Sequence, residues 1–413
     1  MASIHPFKAL RPQPQLAKQV ASLPYDVLNS AEAKAVAQGN PHSFFHITKS
    51  EIDLSDKIDI HAPEVYLQAK ENLDAFIQRD VLFREDKACY YIYQLVMNGN
   101  SQTGLVCVSS VDDYENDIIK KHEFTRPEKE QDRINHISIT GAQTGNVFLA
   151  YRNNSRIDEM VEQCKKTKSP GYDFLADDGI QHSIWIINDD KIIAAITDIF
   201  EKEVPATYIA DGHHRAASAA KVRKQLGDKA PLGANHFLTT LFPASQLHIM
   251  DYNRVVKDLN GLSTEEFLVA LQPYFEVGTA QKKAVKPAVL HEFGLYVSGN
   301  WYRLTAKAGT YDDNDPIGLL DVSILQDNVL SGILEIHDPR TDKRVDFVGG
   351  IRGLAELEKR VDSGDMAAAF SLYPVTIDQL FNIADSGQVM PPKSTWFEPK
   401  LRDGLLTHLI TAE

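Results

Sequence analysis

The sequence predicts a mixed α+β chain of two to three structural units, and three observations carry that prediction. Its 413 residues exceed the roughly 150 that one domain commonly holds. Two Asn/Gly-centred turns join runs rich in Tyr, Val and Leu into hairpins, and between residues 147 and 226 strand-like and helix-like runs alternate. A composition of 43% hydrophobic, 24% charged and 9% aromatic residues belongs to a chain with a packed core, not to a collagen-like, low-complexity or coiled-coil protein.

In chain order, the proline-rich opening (Pro6, Pro12, Pro14) predicts extended backbone up to a turn at Leu23-Pro24-Tyr25-Asp26-Val27. Asn29 or Ser30 then caps a helix over 31–38, ended by Gly39-Asn40-Pro41. Helical spacing of Val65, Ala69, Leu73 and Phe76 predicts a second helix over 63–79. Strands at 89–97 and 103–109 flank Asn98-Gly99-Asn100. A polar stretch from 112 to 145 reads as a loop and then a helix opened by Pro127. Strands at 147–151, 180–187 and 206–210 alternate with helices at 156–166, 190–201 and 216–226. Strands follow at 237–241 and 247–250, with Pro243 interrupting between them. A change of character near 250 divides a core, 1–250, from a smaller α+β subdomain, 251–413, with a hairpin around Ser298-Gly299-Asn300 and helices at 264–271, 324–334, 353–361 and 377–384.

Forty-three Lys and Arg against 57 Asp and Glu leave a formal charge of -14, which opposes the phosphate neutralisation that nucleic-acid binding needs. The three cysteines, Cys89, Cys107 and Cys164, have neither disulfide-framework nor zinc-ribbon spacing. No apolar run reaches the roughly 18 residues of a membrane span, and a cytoplasmic protein is expected. Walker, dinucleotide, nucleophile-elbow and His-Glu-x-x-His patterns are missing from the sequence. Aromatic residues on both hairpins serve either the core or a subunit interface, so an oligomer stays open.

The most informative string is Asp211-Gly212-His213-His214-Arg215, where an apolar strand meets a glycine turn and a helix begins. Unpaired N–H groups and the positive dipole end at such a start favour an anion such as phosphate. Gly212, His213, His214, Arg215 and Ser218 are the phosphate-binding candidates, with Arg215 placed for a bidentate contact. Asp211 has three open roles: holding Mg²⁺, accepting a substrate proton, or pairing with a neighbouring cation. The local alternative is an Asp cap with both histidines satisfied by neighbours. A second polar stretch, His122 to Arg133, offers Glu123 as a general base, although alternating charges on a helix also describe a solvated face. Substrate contacts are expected from Tyr25, Asp26, His122, Thr125 and Arg133, with Lys393, Thr395 and Trp396 as weaker candidates.

Pro24-Tyr25-Asp26-Val27, His122-Glu123-x-Thr125 with Lys129-Glu130-x-Asp132-Arg133, the Asp211 to Arg215 string and the segment from Met390 to Leu401 resemble, in order, the motifs of a bacterial family, domain of unknown function number one thousand and fifteen. More distantly, Gly212-His213-His214-Arg215-x-x-x-Ala219 is similar to the phosphate box of ParB-type CTP-binding proteins and of sulfiredoxin, and Asp-Gly-His-His-Arg resembles that of free serine kinases. These resemblances imply a ParB/sulfiredoxin-like nucleotide-binding core, with ATP, ADP or CTP as ligand and Mg²⁺ beside it. His213 stands where sulfiredoxin has its catalytic cysteine, which excludes sulfinic-acid reduction by that route. The helix-turn-helix region that follows the nucleotide domain in ParB proteins is not recognisable in this acidic chain. The leading expectation is a phosphotransferase acting on free L-serine or a similar small metabolite, with Asp211 or Glu123 taking the hydroxyl proton. The alternative is a nucleotide sensor with slow hydrolysis or none.

Overall fold

The first pairing in the chain is long-range: Ile4–His5 joins the edge of a hairpin about a hundred residues away, Ile4 opposite Ser109. That hairpin, Tyr90–Met97 and Asn100–Ser110, turns at Asn98-Gly99 and lies inside a nine-stranded sheet. A computed structural model describes residues 1–411, and the chain divides into two units, Met1–Leu247 with the segment from Pro399 onward, and His248–Glu398.

In the first unit the sheet runs Ile119–Lys120, Thr207–Asp211, Val147–Tyr151, His236–Pro243, Asn100–Ser110, Tyr90–Met97, Gln181–Ile187, Tyr172–Leu175. Two neighbouring pairs are parallel, Thr207–Asp211 with Ile119–Lys120 and Val147–Tyr151 with His236–Pro243, and the others are antiparallel. The fold is therefore α+β, as its patterning predicts. Tyr90, Ile92, Leu105, Cys107, Leu149, Ile209 and Leu241 form part of one core beneath helices that include Asp190–Glu203 and His213–Leu226. All three cysteines are buried and unbonded to one another.

Local signals set most helix ends. Asn29 accepts from the Glu32 N–H, and Glu32 returns a carboxylate to the Asn29 N–H, so Asn29 is the cap of Ser30–Ala37. Proline opens both Pro63–Gln78 and Pro127–Thr140 at the first turn, where its missing N–H costs nothing. The expected helix at 216–226 begins three residues earlier, as His213–Leu226, which brings the paired histidines into its first turn. Pro243 ends the strand His236–Pro243, and the next strand begins at Ile249, so the proline separates the two as expected.

The second unit is a six-stranded antiparallel sheet, Phe275–Val277, Asn300–Ala306, Glu292–Val297, Ala368–Leu372, Tyr252–Val256, Val345–Gly349. Val255, Trp301, Val348, Leu357 and Ala369 pack together on it. Lys393 and Trp396 serve this unit structurally, since both lie against the Tyr252 ring and Met250 pairs with Trp396.

The division at 250 puts residues 399–411 in the smaller subdomain, whereas in the structure they fold with the first unit. Asp403 exchanges backbone hydrogen bonds with Ser22, Thr407 does so with Leu10, and His408–Leu409 pairs with Ala142–Gln143. Gly404 makes this return possible: its φ is +87°, and a Cβ there would stand 2.6 Å from the Phe44 ring. Gly404→Ala is expected to lower unfolding free energy by more than about 2 kcal/mol in urea titration, from left-handed strain plus overpacking. A loss under roughly 0.5 kcal/mol, the scale of an unremarkable surface change, would contradict the docking of this segment.

Candidate functional site

Thr207–Asp211 ends beside Val147–Tyr151, with Asp211 opposite Phe148 after a register shift at 209–211. Gly212 then turns the chain into the site helix, His213–Leu226. Its φ of +100° favours glycine, and a Cβ would lie 3.2 Å from Arg215 Nε and 3.3 Å from Val147 Cα. The glycine cap offers no side-chain acceptor, so the first-turn N–H groups of the helix start without a side-chain cap.

Arg215 is buried, and protein acceptors surround its guanidinium. Nη1 donates to the Asn146 carbonyl, while Nη2 lies 3.4 Å from Asp211 and 3.9 Å from Asp26. Both terminal nitrogens of Arg215 thus have partners inside the protein. Burial lowers its proton affinity, but Asp211 and Asp26 outweigh that and keep it charged. Asp211 is also 3.3 Å from Lys400 Nζ. Burial alone pushes the Asp211 carboxyl up, yet Lys400 and Arg215 together hold it well below the usual carboxylate range. Of the three roles open to Asp211, pairing is the one the geometry displays.

The histidines act as acceptors. The His122 N–H donates to His213 Nε2 at 3.4 Å, and the Arg126 N–H donates to His214 Nε2 at 3.0 Å. Each ring is therefore the neutral Nδ1–H tautomer. His213 Nδ1 faces Glu123 Oε2 at 3.6 Å, with the Glu123 side chain about half exposed. His122 is buried edge-on against His213, ring centroids 4.6 Å apart, and its own Nδ1 has no hydrogen-bond partner. Two polar stretches far apart in sequence, the loop from His122 to Arg126 and the helix start, are thereby one structure.

Other candidates are engaged in holding it. The Ser218 hydroxyl is fully buried and donates to the carbonyls of His214 and Glu130, so it ties the site helix to Pro127–Thr140 and offers nothing to a phosphate. The buried Ala216, Ala219 and Ala220 turn the other way, into the core beneath the sheet. Thr125 Oγ1 donates to Glu130, which Lys221 also binds. Arg133 lies over the Tyr25 ring at 3.9 Å and pairs with Asp132, itself bonded to Tyr66 at 2.9 Å. Burial raises the Tyr25 hydroxyl to about 12. Asp26 keeps a half-exposed carboxylate. Behind these side chains lies a cavity of about 20 Å³ lined by residues including Tyr25, Arg133, His136, Gly145 and Arg215, the size of about one water.

Two residues escaped the sequence reading. Lys400 sits inside the terminal motif, where nothing local marks it as a partner of Asp211. Asp403 lies just beyond it, buried near Arg215, Asp26 and Arg133, and burial pushes its carboxyl up to about 8. The signal available in the sequence was the Lys400, Arg402, Asp403 charge cluster, which says nothing of its distant partners.

A family model described as "Protein of unknown function (DUF1015)" matches residues 4–323. The chain belongs to this family. No curated protein matches it. Among solved structures, a free serine kinase in complex with AMP is similar at 12% identity and TM-score 0.34, covering 73% of this chain and 92% of that one. A conserved hypothetical protein from Pyrococcus furiosus is similar at 14% identity and TM-score 0.34, covering 73% and 94%. SbnI with a C-terminal truncation, from Staphylococcus aureus, is similar at 9% identity and TM-score 0.37, covering 72% and 85%. Likenesses this slight decide nothing about the reaction. Among the described residues no helix is long and apolar enough to cross a membrane.

Acid should loosen this unit. Burial lowers His122, His136, His236 and His408 from 6.5 to about 4, His182 to about 3, and His213 well below 6.5. The unfolded chain binds those protons below pH 6.5 and the fold does not, so their contribution is lost progressively as pH falls from 6.5 towards 4. Asp403, raised to about 8, acts oppositely, as do the raised His46, Asp113 and Asp158, but these are four groups against the six histidines. Thermal melts should show Tm falling between pH 6.5 and 4.5, and a Tm that holds or rises there would contradict the neutral buried histidines.

Proposed function

We propose that the chain is a nucleotide-dependent phosphotransferase that moves a phosphoryl group from ATP or ADP to the hydroxyl of a small amino acid, free L-serine foremost. The observation that carries this reading is the glycine-capped start of the site helix, with no side-chain cap and carboxylates beside it. Phosphates take the backbone N–H groups at Gly212, His213 and His214, where the helix dipole is positive. Arg215 adds a fixed positive charge behind them without leaving its protein partners. Such a transfer depends on holding the phosphates, receiving the hydroxyl proton and offsetting charge, more than on covalent chemistry by the protein.

Glu123 is the better proton acceptor. It is about half exposed and stands beside the His213 Nδ1–H, whereas Asp211 is held as a weak base by Lys400 and Arg215. Asp26 and Asp211 flank one guanidinium with their carboxylates partly exposed, a hard-oxygen donor set that fits Mg²⁺. Among the described residues no group of three or more His, Cys, Asp or Glu is arranged to hold a metal. Two carboxylates are nonetheless what Mg²⁺ commonly takes when phosphates complete its shell. When bound, the ion offsets the charge of the phosphates. Tyr25 and Arg133 line the adjoining cavity and hold its wall.

Purified protein with Mg²⁺ and L-serine should yield O-phosphoserine from ATP or ADP, read by mass spectrometry. Glu123→Gln should reduce turnover by at least about 10²-fold, the usual scale for losing a general base, while nucleotide binding persists. Phosphoserine formation unchanged in Glu123→Gln would remove Glu123 from the reaction. Nucleotide binding, to CTP included, with no phosphoserine from the wild type would replace the kinase reading with a nucleotide sensor.

A further inference from the structure

Phe124 is the most exposed large apolar side chain of the first unit, 75% exposed between Glu123 and Thr125. A lone exposed aromatic is ordinary on a protein surface. This one is carried by a fastened loop. Two residues before it the His122 N–H is bound to His213 Nε2, and two residues after it the Arg126 N–H is bound to His214 Nε2. The adjacent Thr125 hydroxyl donates to Glu130 on the next helix. Both imidazole acceptors belong to the first turn of the site helix, so the backbone that carries this exposed ring is fastened beside the uncapped helix start.

We propose that Phe124 is the stacking platform for the base of the nucleotide whose phosphates sit at that helix start; this rests on the nucleotide reading above. The chemistry is simple. A ring kept exposed on a tethered backbone gives up little freedom when a base covers it, and every nucleobase has a π-face to offer. The neighbouring Arg126 side chain is exposed, adding positive charge on the same loop. Stacking without base-edge hydrogen bonds tolerates different bases and favours the larger purines, so ATP and GTP should bind similarly and CTP more weakly.

The test compares ATP with inorganic triphosphate, each with Mg²⁺, by titration calorimetry on wild-type protein and Phe124→Ala. ATP affinity should fall on the order of 5- to 150-fold in the variant, the range found for removing one base–aromatic stack, and triphosphate affinity should not change. In Phe124→Trp the indole fluorescence should be quenched by ATP and not by triphosphate. Equal ATP affinity in Phe124→Ala, or wild-type protein that binds triphosphate as tightly as ATP, would overturn the platform and leave the phosphate site standing. Wild-type protein that binds neither would overturn the nucleotide reading and the platform with it.

Discussion

The buried Arg215 guanidinium is the constraint on which the site depends. A charge taken out of water is costly unless paired and hydrogen-bonded, and the fold answers from three directions. Asn146 supplies a carbonyl ahead of one strand, Asp211 a carboxylate at the end of another, and Asp26 a carboxylate from the first turn. Gly212 makes the arrangement possible, because any side chain there would press on the guanidinium it has to pass. Lys400 then balances Asp211 from the far end of the chain. The helix start is left rigid, with positive character and no side chain of its own over the N–H groups.

The same logic explains the two histidines. Through Nε2 they accept backbone N–H groups from the loop that carries Glu123 and Phe124, which leaves Nδ1–H of each as a donor. Their neutrality, enforced by burial, is what lets them do so. A loop that would otherwise be a floating polar stretch becomes part of the site, and the carboxylate proposed as proton acceptor is positioned by the motif proposed to hold phosphate.

Much of this was legible because it is local. Asn29 with Glu32, Pro63, Pro127 and the Asn98-Gly99 turn each specify an element within a few residues, and the glycine between strand and helix announces the site helix. What escaped depends on distance in sequence. Tyr252–Val256 lies between Val345–Gly349 and Ala368–Leu372, strands about a hundred residues further on, and no local pattern marks such pairing. Lys400 meets Asp211 across 189 residues. Ser218 escaped for a subtler reason: one helical turn from the phosphate box is the right height, but its face of the helix meets Pro127–Thr140, where Ser218 and Lys221 both bond to Glu130.

The most direct test of the account is hydrogen exchange by mass spectrometry over peptides spanning residues 211–216, with and without ATP and Mg²⁺. If the open helix start is the phosphate site, the amides of Gly212, His213 and His214 should exchange more slowly when nucleotide is bound. Nucleotide that binds, by an independent thermal shift, yet leaves those amides unchanged would place the phosphates elsewhere and contradict the account.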